Sequence, residues 1–144
     1  DMVNEKGEYV QRYPGFPLTA CKWTVTPEVM RYLVVNNYRR YGKPIVITEN
    51  GQSCNDRVFL DGKVHDPERI DFLHRYLVEL KKGIDEGVPV LGYRQWSLLD
   101  NFEWSKGYDE RFGIIYVDYR TGQRTPKDSA AWYARVIETN GGCL

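Results

Sequence analysis

The sequence predicts an α/β fold with parallel strands, on three observations. Helical and extended segments alternate along the 144 residues in the order helix, strand, helix, strand, helix. The first extended run, Pro44-Ile45-Val46-Ile47-Thr48, is β-branched and continuously apolar, as expected of a strand buried on both faces between crossover helices. Both informative clusters, Glu49-Asn50-Gly51 and Trp96 to Trp104, fall at the C-terminal ends of predicted strands, where parallel sheets hold their ligands.

Taken in order, residues 1–25 have no clear period. They contain the turn-forming Tyr13-Pro14-Gly15-Phe16-Pro17, so this stretch is expected to be mostly loop. Thr26-Pro27-Glu28 reads as N-cap, N1 proline and acidic first turn of a helix. That helix should run to about Tyr41, with Met30, Leu33, Val34, Asn37 and Tyr38 on one side and Gly42 ending it. The strand 44–48 comes next. Asp61-Gly62, between Val58-Phe59-Leu60 and Lys63-Val64, predicts a two-residue hairpin. Asp66-Pro67-Glu68 opens a second helix, whose stripe is Ile70, Leu73, Leu77, Leu80 and Ile84, closed by Gly87.

Val88 to Ser97 is the second strand, followed by a loop to about Arg111. Phe112 to Tyr119 is again extended and turns at Thr121-Gly122. Thr125-Pro126-Lys127-Asp128 fits a capping box for a last helix reaching about Glu138, and residues 140–144 should fray.

Composition narrows the function classes. The 20 basic and 20 acidic side chains cancel, which leaves no footprint for nucleic acid or an anionic membrane. No run approaches the roughly 18 apolar residues of a membrane span, and Asp1-Met2-Val3 resembles the start of a fragment more than a targeting segment. Cys21, Cys54 and Cys143 are odd in number and widely spaced, as in thiols kept reduced in a cytoplasm. No Cys-x-x-Cys pair exists and neither His65 nor His74 sits beside a cysteine, so no metal site is expected. Eleven Tyr, five Phe and four Trp cluster near polar residues, a mixture suited to sugar rings and equally to a tyrosine-rich core.

Two clusters carry possible chemistry. A carboxylate held at a rigid strand end, as Glu49 would be, can attack an anomeric carbon from one face; it could equally cap the following loop or pair with an arginine. In Trp96-Ser97-Leu98-Leu99-Asp100-Asn101-Phe102-Glu103-Trp104, a sugar could stack on an indole while Glu103 accepts hydrogen bonds from two hydroxyls. The alternative makes the indoles core and the acids surface or capping groups.

Ile47-Thr48-Glu49-Asn50-Gly51, the Trp96 to Trp104 segment, and Arg111-Phe112-Gly113-Ile114-Ile115-Tyr116-Val117-Asp118-Tyr119 resemble glycoside hydrolase family 1 in order and spacing. Val64-His65-Asp66-Pro67 and Pro126-Lys127-Asp128-Ser129 extend the match over nearly the whole chain. The resemblance implies the C-terminal part of a TIM (β/α)₈ barrel, roughly its last two or three βα units, with strands seven and eight ending at Glu49 and Trp96. It further implies a retaining β-glucosidase in which Glu49 is the nucleophile. Trp96 would lie under the sugar, Glu103 would grip the far hydroxyls, Trp104 would meet another hydroxyl through its indole N–H, and Phe112 would line the same pocket. Trp23 would lie toward the leaving group. Relatives acting on 6-phosphorylated sugars carry a small hydroxyl residue where Glu103 stands, so an unphosphorylated β-glucoside is the expected substrate. Plant thioglucosidases have glutamine at the nucleophile position, whereas Glu49 is intact. No cofactor is required.

The family's acid/base lies in an Asn-Glu-Pro motif, and that motif is absent; Asn4-Glu5-Lys6 lacks its context. A complete barrel also needs about 250 residues. The expectation is therefore a chain that either joins a missing N-terminal barrel half or pairs with itself, most simply as a homodimer. In an active homodimer Glu103 or Asp100 would be candidates for the acid. The alternative is a catalytically silent part-barrel that binds sugar weakly or is purely structural.

Overall fold

The computed structural model describes Lys6 and residues 13–144, so the expectations for Asp1-Met2-Val3 and for Asn4-Glu5 lie outside the described residues. Helix α1 (Glu28–Tyr41) leads to strand β1 (Ile45–Asn50), helix α2 (Pro67–Asp85) and strand β2 (Val90–Gln95). A short 3₁₀ helix, Trp104–Lys106, precedes the hairpin of β3 (Ile115–Val117) and β4 (Arg124–Pro126), and α3 (Asp128–Glu138) follows. β1 and β2 pair in parallel, Ile47 opposite Tyr93 and Asn50 opposite Gln95, with α2 as the crossover between them. β3 and β4 pair antiparallel, Tyr116 opposite Thr125.

The core forms where the apolar faces of α1, α2 and α3 meet one side of the parallel pair. Met30, Val34 and Val35 from α1 pack with Phe72, Leu73, Tyr76, Leu77 and Leu80 from α2, with Ile47 from β1 and with Val136 from α3. Burying each such side chain contributes about 1.5–3 kcal/mol. α1 and α2 approach so closely at Gly83 that a Cβ there would stand 2.6 Å from Val34 Cγ2. Gly42, left-handed at φ 61°, ends α1 as expected, its N–H bonded to the Tyr38 carbonyl.

Several expectations are corrected by packing. β1 is buried on one side only: Ile47 is 7% exposed but Val46 43%, and Leu91 of β2 is 72% exposed. Among the described residues no second layer covers that side. On α1, Val35 faces the core and Leu33 faces out; on α2, Phe72 and Tyr76 join the core while Ile84 is exposed. The core-facing stripe is thus turned from the one the spacing suggested, because helix crossing selects the face that meets the sheet. α1 begins at Glu28 behind Pro27, with no side-chain cap from Thr26.

The Asp61-Gly62 turn forms, with the Phe59 N–H bonded to the Lys63 carbonyl at 2.8 Å, but no strands flank it. Val64 instead bridges Lys127 in parallel. The capping box of α3 does not form, because Thr125 and Pro126 are drawn into β4 and Lys127 becomes the N-cap. Residues 140–144 fold back through bonds such as Gly141 N–H to Val136 O at 2.8 Å, and Leu144 packs on the core.

Candidate active site

The two parallel strands end together, and that junction builds one wall of a cavity. The Trp96 N–H bonds the Asn50 carbonyl at 2.9 Å, and the Tyr93 hydroxyl donates to Asn50 Oδ1 at 2.8 Å. Gly51 lies so close to the Trp96 carbonyl that a Cβ would fall 1.8 Å from its oxygen, so only glycine lets the strand ends meet. Glu49, two residues earlier, is exposed, and its carboxylate accepts no hydrogen bond from a described residue.

The chain beyond Gly51 holds a second wall. Gln52, Ser53 and Cys54 are buried. Ser53 Oγ accepts the Cys21 N–H at 3.0 Å, and the Ser53 carbonyl accepts the Ala20 N–H at 3.3 Å. These bonds pin a small loop closed by Thr19 N–H to Trp23 O at 2.8 Å, and the Trp23 ring stands 5.7 Å from that of Phe112.

The third wall is the loop after β2, which begins with a cis Trp96–Ser97 peptide. Residues 97–100 run against 112–115 through Ser97 N–H to Phe112 O and Ile114 N–H to Ser97 O, both at 3.0 Å. Gly113 permits this: a Cβ would sit 2.2 Å from the Asp100 nitrogen. The Glu103 N–H bonds the Gly107 carbonyl at 2.7 Å, and Trp104, at φ 42°, turns an indole out that is 82% exposed.

The result is an open cavity of about 470 Å³ lined by Thr19, Trp23, Thr24, Glu49, Asn50, Gly51, Phe72, Tyr76, Trp96, Glu103, Trp104 and Phe112. It brings together all six residues nominated from the sequence. Glu103 Oε2 is buried without a hydrogen-bond partner, an acceptor left open beside this space. Thr19 and Tyr76 were not anticipated, since Thr19 sits in an aperiodic loop and Tyr76 reads as part of a helical apolar face. A larger space of about 530 Å³ lies along α2, β2 and α3, but its lining is mainly apolar and its Lys81 and Asp85 are paired at 2.8 Å.

Beneath the site lies a buried ionic cluster that sequence reasoning did not assemble. Asp66, which sits at the α2 N-cap, does not cap with its side chain but meets Arg69 and accepts the Ser129 N–H at 2.8 Å. Asp100 accepts from Lys127 Nζ at 2.8 Å, Arg111 Nη1 at 2.6 Å and the Gly113 N–H at 3.0 Å. Asp100, named above as a candidate acid, spends its oxygens on these contacts and is not among the residues that line the cavity. The buried Cys54 thiol is pushed up to about 12, mainly by desolvation. Among the described residues, no group of three or more His, Cys, Asp or Glu side chains is arranged to hold a metal, and no helix is long and apolar enough to cross a membrane.

The fold and cavity define a portion of a (β/α) barrel with a strand-end carboxylate beside an aromatic wall. Residues 2–142 match the pattern of Glycosyl hydrolase family 1, and the chain belongs to that family. It is 47% identical to Beta-glucosidase A of Thermotoga maritima over 94% of its own length and 30% of that protein's. It is 46% identical to a 1,4-beta-D-glucan glucohydrolase of Thermotoga neapolitana over 92% of this chain and 30% of that one. The structure of the Thermotoga maritima β-glucosidase in complex with glucoimidazole superposes with a TM-score of 0.89 at 47% identity, covering 93% of this chain and 30% of that one. The chain therefore spans about three-tenths of the length of these relatives and forms a partial TIM barrel.

Proposed function

We propose that this chain supplies the nucleophile and much of the sugar-binding wall of a retaining β-glycosidase acting on unphosphorylated β-glucosides. The observation that carries the reading is the convergence of Glu49, Trp96, Glu103, Trp104, Phe112 and Trp23 on one cavity. In the reaction Glu49 attacks the anomeric carbon as the bond to the leaving oxygen breaks, giving a glycosyl ester that water later cleaves. Trp96 offers a stacking face to the sugar. Glu103 Oε2, buried and unpartnered, suits a sugar hydroxyl donor, and its negative charge disfavours a phosphate.

The leaving oxygen needs a proton from a second carboxyl about 5–5.5 Å from the first. That acid comes from a complementing barrel portion or from a second copy of this chain; the uncovered side of the β1–β2 pair, with Val46 and Leu91, supports such a partner.

The test is hydrolysis of an aryl β-glucoside by the chain, alone and with a complementing barrel half, beside Glu49→Gln. The expected result is turnover that Glu49→Gln abolishes. Turnover that survives Glu49→Gln overturns the nucleophile assignment. Glucose binding without turnover in either format favours a silent, sugar-binding part-barrel.

A further inference from the structure

Three carboxylates (Asp56, Asp66, Asp100) and three cations (Arg69, Arg111, Lys127) alternate in the buried cluster. Their side chains are at most 2% exposed, apart from Arg111 at 16%. Its connections follow the loops of the site. Asp56 lies on the segment that leaves Glu49, and Asp100 lies between Trp96 and Glu103. Lys127 Nζ joins the two, donating to Asp56 Oδ2 at 2.5 Å and to Asp100 Oδ1 at 2.8 Å. Arg69 Nη2 reaches Asp56 Oδ2 at 2.6 Å and the Arg111 carbonyl, next to Phe112, at 2.9 Å. One ammonium and one guanidinium therefore tie together three segments that converge on the cavity.

Stability alone does not account for this arrangement. Apolar groups of similar volume stabilise a core as well as a buried ion pair or better, because the charges must first be stripped of water. What charged hydrogen bonds add is direction: each N–H fits few oxygens, so the segments carrying them keep one separation. A glycosidase site needs that separation, since Glu49 and Glu103 must reach opposite ends of one sugar and errors near 1 Å are costly.

We infer that Lys127 and Asp56 are positioning residues, whose buried ion pair holds the segment after Glu49 in register with the Trp96–Trp104 loop. The inference rests on the proposed glycosidase reading only for the use made of that register.

The test replaces the pair with apolar groups, Asp56→Leu together with Lys127→Met. One charge of each sign is removed, and Asp66–Arg69 and Asp100–Arg111 remain paired. The chain is labelled with 5-fluorotryptophan, so that Trp23, Trp96, Trp104 and Trp132 report separately by ¹⁹F NMR. The expected result is a melting temperature unchanged or raised, a Trp132 signal in place, and Trp96 and Trp104 signals shifted and broadened. With a parent chain that binds deoxynojirimycin, the Kd of the variant rises by about tenfold, the loss of roughly one neutral hydrogen bond.

A folded double variant with Trp96 and Trp104 signals unchanged overturns the inference. Should the double variant fail to fold, Lys127→Arg serves instead: a longer planar fork in place of this fully buried ammonium changes the separation of the two carboxylates it bridges, and the same two signals must move or the inference falls. A parent chain that does not bind deoxynojirimycin counts against the glycosidase reading and leaves the ¹⁹F result to judge the register.

Discussion

Gly83→Ala sets two effects of opposite sign against each other, and the structure decides between them. Gly83 lies in the last turn of α2, where replacing glycine by alanine ordinarily stabilises a helix by about 0.8–1.0 kcal/mol. The new methyl, however, would stand 2.6 Å from Val34 Cγ2, well inside van der Waals contact. Val34 is fully buried on α1 and its branched side chain has one favoured rotamer in a helix, so neither partner yields cheaply. Overpacking of this kind costs about 1–3 kcal/mol. Taking the upper half of that range, the net loss is about 1–2 kcal/mol, or roughly 3–8 °C in Tm for a chain of this size.

Thermal unfolding followed by circular dichroism measures the loss, and a second background isolates its cause. In Val34→Ala the obstructing methyl is gone, so Gly83→Ala should there be neutral or stabilising. Equal destabilisation in both backgrounds, or a raised Tm beside native Val34, would refute the packing argument.

Two further predictions rest on titration and burial. His65 Nδ1 lies 2.6 Å from an Asp128 carboxylate oxygen and Nε2 2.9 Å from one of Asp61, and hydrogen bonding to these two acids raises its pKa above the ordinary value of about 6.5. The stability it contributes is full below that ordinary value and fades as pH rises through the higher folded-state value. The Tm should therefore fall more steeply in the parent than in His65→Gln as pH rises above the ordinary histidine value of about 6.5, and parallel profiles would contradict this. Cys54, buried with its thiol pushed up to about 12, should resist alkylation of the native chain at pH 8, whereas the exposed Cys143 reacts first. Mass spectrometry of partly labelled protein checks the order, and native Cys54 labelling at the rate of Cys143 would refute it.

Much of the lining of the candidate cavity was legible before the fold was known, because its residues sit in short, rigid pieces of chain. A strand end followed by Glu-Asn-Gly, and a loop with indoles on either side of a carboxylate, keep their chemistry in linear order. The helices were legible in existence and nearly in extent; Gly42 stops α1 wherever α1 packs. The caps were less so. Thr125 and Asp66 carry the grammar of helix starts, yet one is taken by β4 and the other turns its carboxylate to Arg69 and Ser129. A side chain with two possible partners follows the stronger tertiary offer, and local spacing cannot rank the two.

From the residues alone came the α/β order, the strand-end acid, the aromatic wall and the family resemblance, since each depends on neighbours in sequence or on a pattern that spans it. The tertiary structure alone decided which helix faces are buried and that, among the described residues, one side of the β1–β2 pair stays open. It also brought Asp56 and Asp100, distant in sequence, to the one ammonium of Lys127. The reason is physical: a periodic pattern specifies that a face will be buried, but only the packed partner specifies which face and against what charge.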